Sequence, residues 1–196
     1  MPQHEVTFPI TDEQEILKLR AGDEVTVQGH IIGIRDATQI RIFDQGQEPP
    51  MSLEGAALLH TAPNVRKLPD GTYEPLSIGT TTSARMSRFT EPLIRDHGAR
   101  AIMGKGGLLP EALAPLREHG GVYLAIVGGA AALQTTQIAE IEQVEWEDLM
   151  PECLWRFRVC DFGPLIVAMD SHGKSLYADV QAEARRRIDE SLSAKI

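Results

Sequence analysis

The chain is poor in the residues that most often announce a cofactor or a destination. It has 2 cysteines in 196 residues, Cys153 and Cys160, with no Cys-x-x-Cys pair. Two thiolates at that spacing cannot alone complete a four-ligand zinc or iron–sulfur site. They flank a strand-like run, residues 154–159, and read as structural thiols. The 6 histidines show no ligand spacing, and His30, His60 and His172 read as structural too. Positive charge is also scarce, with 19 Lys and Arg against 28 Asp and Glu, a formal net charge of −9. That balance excludes a general nucleic-acid or anionic-membrane binder, since such partners select basic surfaces. No apolar run approaches the roughly 18 residues of a membrane span. The first residues, Met-Pro-Gln-His-Glu, lack the charged-then-apolar order of a secretory leader, so a cytoplasmic location is expected. Gly173-Lys174-Ser175 resembles the end of a nucleotide P-loop, but the glycine required five positions earlier is Ala168, which rules that loop out.

What is present suits one ordinary globular core. Hydrophobic residues make up 42% and charged residues 24%, and we expect a single domain over 1–196. Residues 5–10, 24–34, 56–60, 101–103, 121–127, 138–146, 154–159 and 164–170 read as strands. Residues 45–50 and 63–75 read as loops, the latter with an Asp70-Gly71 turn. Asp36 is placed to cap a helix beginning at Ala37, and Thr82 or Ser83 one running to about His97, with Gly98 just beyond its end. Pro110 suits the first turn of a helix over 110–118. From Tyr177, apolar residues at 177, 180, 184, 188 and 192 describe an amphipathic helix. Strands alternating with helices, some joined as hairpins, predict an α/β fold with a mixed sheet.

Two glycine-punctuated loops carry the chemistry. One reads Gly79-Thr80-Thr81-Thr82-Ser83-Ala84-Arg85-Met86, the other Met103-Gly104-Lys105-Gly106-Gly107. Each follows a strand-like stretch and precedes a helix-like one. Hydroxyls, free backbone N–H groups and a fixed cation would then sit at helix N-termini, where anions bind. Arg85 in a first helical turn opposes the dipole, and such local conflicts cluster at functional sites. Arg35 follows an apolar strand. Arg35, Thr81, Arg85 and Lys105 all fall at or just past strand C-terminal ends, where ligands of open α/β sheets collect. On residue pattern alone, Arg35-Asp36 is equally a surface ion pair, and Thr81 a hydrogen-bonding residue or a catalyst. Gly128 to Leu133 is a small-residue turn that reads as close packing or as pocket lining.

Arg35-Asp36-Ala37, the Gly79–Met86 motif and Gly104-Lys105-Gly106, in that order, resemble the C-terminal domain of class I fumarases. In two-chain members that domain is the β subunit of fumarase or L-tartrate dehydratase. The tail, Trp155 through Phe162 and Ile166 to Asp170, is similar as well, so the resemblance spans about residues 15–180. It implies a swivelling β/β/α domain and reversible anti hydration of a small dicarboxylate: fumarate/malate, tartrate/oxaloacetate or a methylated relative such as mesaconate. It implies a [4Fe–4S] cluster ligated by a partner α subunit and not by this chain, an α2β2 or higher assembly, and an active site shared between subunits. By motif, Arg35, Thr82, Arg85 and Lys105 would bind substrate, and Thr81 would transfer a proton opposite an α-chain aspartate. Thr80, Gln39 and Ser87 stand where the family usually has proline, histidine and aspartate. A non-catalytic carboxylate- or phosphate-binding module is the alternative from a different class.

Overall fold

Three short apolar runs build the centre of the sheet. In the computed structural model, which describes residues 1–127, 129 and 131–193, they are β3 (Ala57–His60), β6 (Ala101–Gly104) and β7 (Val122–Ala125). They run parallel, β3 beside β6 and β6 beside β7. Parallel strands covered on both faces require continuous apolar sequence, and these supply it. Alternate residues then serve two layers. Ala57, Leu59, Ala101, Met103, Val122 and Leu124 join an inner core with Val27, Phe157 and Phe162. Leu58, Ile102 and Tyr123 join an outer core with Met86, Phe89, Leu93, Ile94 and Leu116. The period of two is what a strand imposes on its side chains.

The inner core is enclosed because the sheet closes on itself. β2 (Glu24–Ile34) pairs parallel with β3 through Ile31–Ile34. It also pairs antiparallel with β9 (Leu154–Met169), from Glu24 opposite Ile166 to Gly33 opposite Trp155. β9 in turn pairs antiparallel with β7 near its end, which completes the ring β2–β3–β6–β7–β9. β1 (Gln3–Phe8) runs parallel beside the first part of β2, and β8 (Ile138–Glu145) antiparallel beside the first part of β9. Trp155, Phe157 and Phe162 are fully enclosed, each side chain of this size contributing about 2–3 kcal/mol on burial.

The outer layer consists of α3 (Thr90–Arg95) and α4 (Leu113–His119), each entered through a 3-10 turn, Ala84–Phe89 and Pro110–Ala112. The mixed sheet and the helices over it are the α/β architecture expected. Several local expectations need correction. Residues 154–159 and 164–170 belong to one strand, β9. Within 63–75 lie β4 (Asn64–Lys67) and most of β5 (Tyr73–Ser77), an antiparallel hairpin turning at Asp70-Gly71. α1 (Gln14–Leu17) is a single turn not foreseen, as is the turn of π-helix at Ile40–Asp44. α5 (Ala131–Thr136) precedes β8; Gly128 and Ala130 of the small-residue turn lie outside the described residues. α6 (Leu176–Ser193) begins where predicted, but Val180, Ile188 and Leu192 face solvent. Among the described residues no helix is long and apolar enough to cross a membrane.

Candidate active site

Because β2, β3, β6 and β7 are parallel, their C-terminal ends share one rim. Arg35 follows β2 and Lys105 follows β6 on that rim. Between the ends of β3 and β6 lies the threonine segment. Thr80 bridges antiparallel to Thr61, and Thr82 bridges parallel to Lys105. The Thr81 N–H donates to the His60 carbonyl at 2.8 Å, the Lys105 N–H donates to the Thr81 carbonyl at 3.2 Å, and the Ser83 N–H donates to the Lys105 carbonyl at 3.1 Å. Two loops some twenty residues apart in sequence are thereby joined as if they were neighbouring strands.

Two glycines make this approach possible. Gly79 has φ +60°, and a Cβ there would lie 2.2 Å from the Ala62 carbonyl oxygen. A Cβ on Gly104 would lie 2.1 Å from Ser83 Oγ. No other residue fits either place without displacing backbone or the buried serine.

The cations are not uniformly free. Arg85 grips Asp36 with two donors, Nε to Oδ1 at 2.8 Å and Nη2 to Oδ2 at 2.7 Å, and its Nη1 donates to the Thr82 carbonyl at 3.0 Å. This is the fork geometry in which arginine recognises carboxylates. Arg35 Nε lies 3.3 Å from Asp36 and 3.3 Å from Glu152. Glu152 also accepts the Ala37 N–H at 2.9 Å, and its backbone carbonyl accepts the Thr38 hydroxyl. Burial works against the Asp36 carboxylate, but Arg85, with help from Arg35, outweighs it and holds the pKa below the usual aspartate value. The bond to Asp36 likewise raises Arg85. Lys105 is exposed and makes no ion pair among the described residues. The Thr81 side chain is 8% exposed and likewise makes no hydrogen bond among them.

The rim therefore gathers Arg35, Thr81, Thr82, Arg85 and Lys105, and adds Asp36 and Glu152. The helix-terminus expectation holds only in part: Ser83 stands at the N-cap position of the 3-10 turn and Arg85 in its first turn, but the side-chain caps and the placement of Lys105 do not follow it. Asp36 caps nothing: α2 (Asp36–Gln39) has Arg35 at its N-cap, and the Asp36 carboxylate is spent on Arg85. Neither Thr82 nor Ser83 caps the 3-10 turn that follows with its side chain, and Lys105 lies five residues before the next turn, at Pro110. The positive charge on this rim therefore comes from the Arg35, Arg85 and Lys105 side chains. Thr82, Arg85 and Lys105 on this rim are exposed. Surface cavities of about 490 and 510 Å³ are lined by other residues, around Glu48–Arg100 and around His4 and Gly163.

His60, expected to be structural, is indeed buried, but its partners were not foreseen. The ring is fully enclosed, with Nδ1 2.9 Å from Ser83 Oγ, which also accepts the Tyr123 hydroxyl at 2.9 Å. Burial pushes its pKa down to about 3, so it is neutral. Its partners are 23 and 40 residues apart from it or from each other, and no local pattern marks them.

The donor set does not fit an iron–sulfur cluster. Burial pushes the Cys153 thiol up to about 12, whereas Cys160 is exposed. Along a strand rising about 3.3 Å per residue, the two lie roughly 20 Å apart. Among the described residues no group of three or more His, Cys, Asp or Glu side chains could share a metal ion.

Comparison with known proteins agrees with the motifs. The Fumarase C-terminus family pattern matches residues 3–180. The chain is 38% identical over 175 residues to the L(+)-tartrate dehydratase subunit beta of Escherichia coli K12, covering 89% of this chain and 86% of that one. It is 37% identical over 191 residues to a protein of Methanocaldococcus jannaschii provisionally given the same name, covering 95% and 97%. It is 38% identical over 183 residues to a provisionally named class I fumarate hydratase of Geobacillus stearothermophilus, covering 93% of this chain and 35% of that one. With a matching pattern over residues 3–180 and relatives of this similarity, the chain belongs to the fumarase C-terminal family.

Proposed function

We propose that this chain is the β subunit of an iron–sulfur hydro-lyase and donates the cation-bearing half of an active site that an α partner completes. The substrate class is a small dicarboxylate: fumarate/malate, tartrate/oxaloacetate or mesaconate. The observation that carries the reading is the rim itself. Five residues named by three separate motifs meet at one edge of the sheet, and Thr82, Arg85 and Lys105 are exposed there. The names of the relatives, a tartrate dehydratase β subunit and a class I fumarate hydratase, support the reaction class.

The [4Fe–4S] cluster that the family implies belongs, in this reading, to the α partner, because the two thiols here cannot share it; there it supplies Lewis acidity toward the substrate. The work of this chain is binding and proton transfer. Lys105 and the terminal amino groups of Arg35 take substrate carboxylate, and Arg85 offers a second fork held ready by Asp36. Thr82 adds a hydroxyl beside Lys105. Anti addition of water needs groups on both faces of the carbon skeleton, and Thr81 serves one face. A threonine hydroxyl is a weak acid and base until its surroundings activate it; Lys105, whose backbone N–H donates to the Thr81 carbonyl, supplies a positive charge that favours the alkoxide.

Anaerobic mixing tests this. The chain alone should be colourless and inactive, and with its α partner should hydrate or dehydrate a member of a panel of fumarate, L-malate, L-tartrate and mesaconate. Tight, saturable binding of a dicarboxylate by the lone chain, with no turnover in the mixture, would instead establish the binding-module alternative.

A further inference from the structure

Behind the rim lies a buried polar group that the binding roles leave unused. His60, Ser83 and Tyr123 are 1%, 0% and 0% exposed, and they come from β3, the threonine segment and β7. Their neighbours on the same outer faces of the strands, Leu58 and Ile102, are apolar, so hydrocarbon would fill this layer well. Buried polar side chains are expensive unless fully paired, and here the pairing is directional. The Tyr123 O–H donates to Ser83 Oγ. The serine hydroxyl can then donate to His60 Nδ1, 2.9 Å away, an arrangement that puts the proton of the neutral ring on Nε2. His60 Nε2 is buried without a hydrogen-bond partner among the described residues.

Ser83 is the junction. Its backbone N–H holds the Lys105 carbonyl, its hydroxyl occupies the space left by the absent side chain of Gly104, and it stands two residues from both Thr81 and Arg85. His60 binds the same segment a second time, since its carbonyl accepts the Thr81 N–H. A shift of Ser83 would move Thr81 and Arg85 together against Lys105.

We propose that His60, Ser83 and Tyr123 are positioning residues that fix the Thr81–Arg85 segment in register with Lys105, and so set the placement of the Thr81 hydroxyl against the bound dicarboxylate. The proposal rests on the reading of Thr81 and Lys105 given above. Small displacements of a reacting group are costly in rate even when substrate still binds, so the effect belongs in kcat.

The test compares the reconstituted wild-type complex with Tyr123→Phe, which removes one hydroxyl and leaves the ring in place, and with Thr81→Val as control. For Tyr123→Phe we expect kcat per assembled complex to fall about tenfold with KM within twofold. Unchanged kcat per assembled complex, with or without a loss of stability, would make the layer merely structural and overturn the proposal. A second readout needs no turnover. In the lone subunit labelled with 15N-histidine, His60 should show the fixed, neutral Nε2–H tautomer, lost in Ser83→Ala; a ring in the Nδ1–H form or exchanging between tautomers in the wild type contradicts the arrangement. A wild-type complex inactive on the whole panel, or a fully active Thr81→Val, overturns the functional reading and the proposal with it. Activity lost in Thr81→Val and retained in Tyr123→Phe overturns the proposal alone.

Discussion

The inside of the closed sheet and the rim above it handle polarity in opposite ways. Within the ring, Val25, Val27, Ile31, Phe157, Phe162 and Leu165 pack together as hydrocarbon. Along the rim, the buried residues include Thr38, Gln39, His60, Thr61, Thr80, Thr81, Ser83 and Ser87. Several of these keep a polar atom with no partner among the described residues: Gln39 Oε1, His60 Nε2 and Thr80 Oγ1. Each such orphan costs about 1–3 kcal/mol against a paired or apolar equivalent. The interior is built for stability, and the rim gives up stability to hold polar groups at set positions, the pattern expected where a fold carries a site. Two of the orphans, Gln39 and Thr80, are also positions where the chain departs from the usual family motif.

Substitutions in the two regions should therefore diverge. The largest effect is expected inside the ring, where Phe157→Ala should cost about 3–5 kcal/mol in denaturant unfolding, while kcat per folded, assembled complex stays at the wild-type value. A smaller, pH-dependent effect belongs to His60. Its folded pKa is depressed from 6.5 to about 3, so the unfolded chain takes up the proton first as pH falls. The stability tied to the neutral ring is fully present above pH 6.5 and lost as pH falls from there toward about 3. Between pH 7 and pH 5 the wild type should lose about 2 kcal/mol more than His60→Gln; identical pH dependence in the two would show that the ring is not held neutral. The smallest effect is a gain. Thr80→Val replaces an orphaned hydroxyl by a methyl of the same shape and should stabilise the chain by about 1 kcal/mol. A loss instead would mean that the hydroxyl has a partner in the assembled enzyme.

How much of this was legible in the sequence follows the range of the interactions. The apolar runs at Ala57–His60, Ala101–Gly104 and Val122–Ala125 declare themselves as buried strands because their burial is two-sided and local. The closure of the ring through β2 and β9 does not, since it pairs residues more than a hundred positions apart, such as Gly33 and Trp155. The β4–β5 hairpin was read as loop because Pro63, Pro69 and Pro75 punctuate it and its residues are half-exposed or exposed. At the site, the motifs identified Arg35, Thr81, Thr82, Arg85 and Lys105, and the parallel strands explain why they meet. The partners of Asp36 and Ser83 were misassigned for one reason. Both are good helix caps locally, and tertiary partners, Arg85 in one case and His60 with Tyr123 in the other, take their side chains instead.

The central claim is that this rim binds the substrate carboxylates in a shared active site. The most direct measurement is kcat/KM of the reconstituted complex carrying Lys105→Ala or Arg85→Ala, with thermal melting of the subunit as control. The account predicts a loss of at least about tenfold in each, equivalent to about 1.4 kcal/mol of transition-state binding, with melting unchanged for Lys105→Ala and the Arg85→Ala subunit still folded at the assay temperature. Near-wild-type turnover in either variant would contradict it.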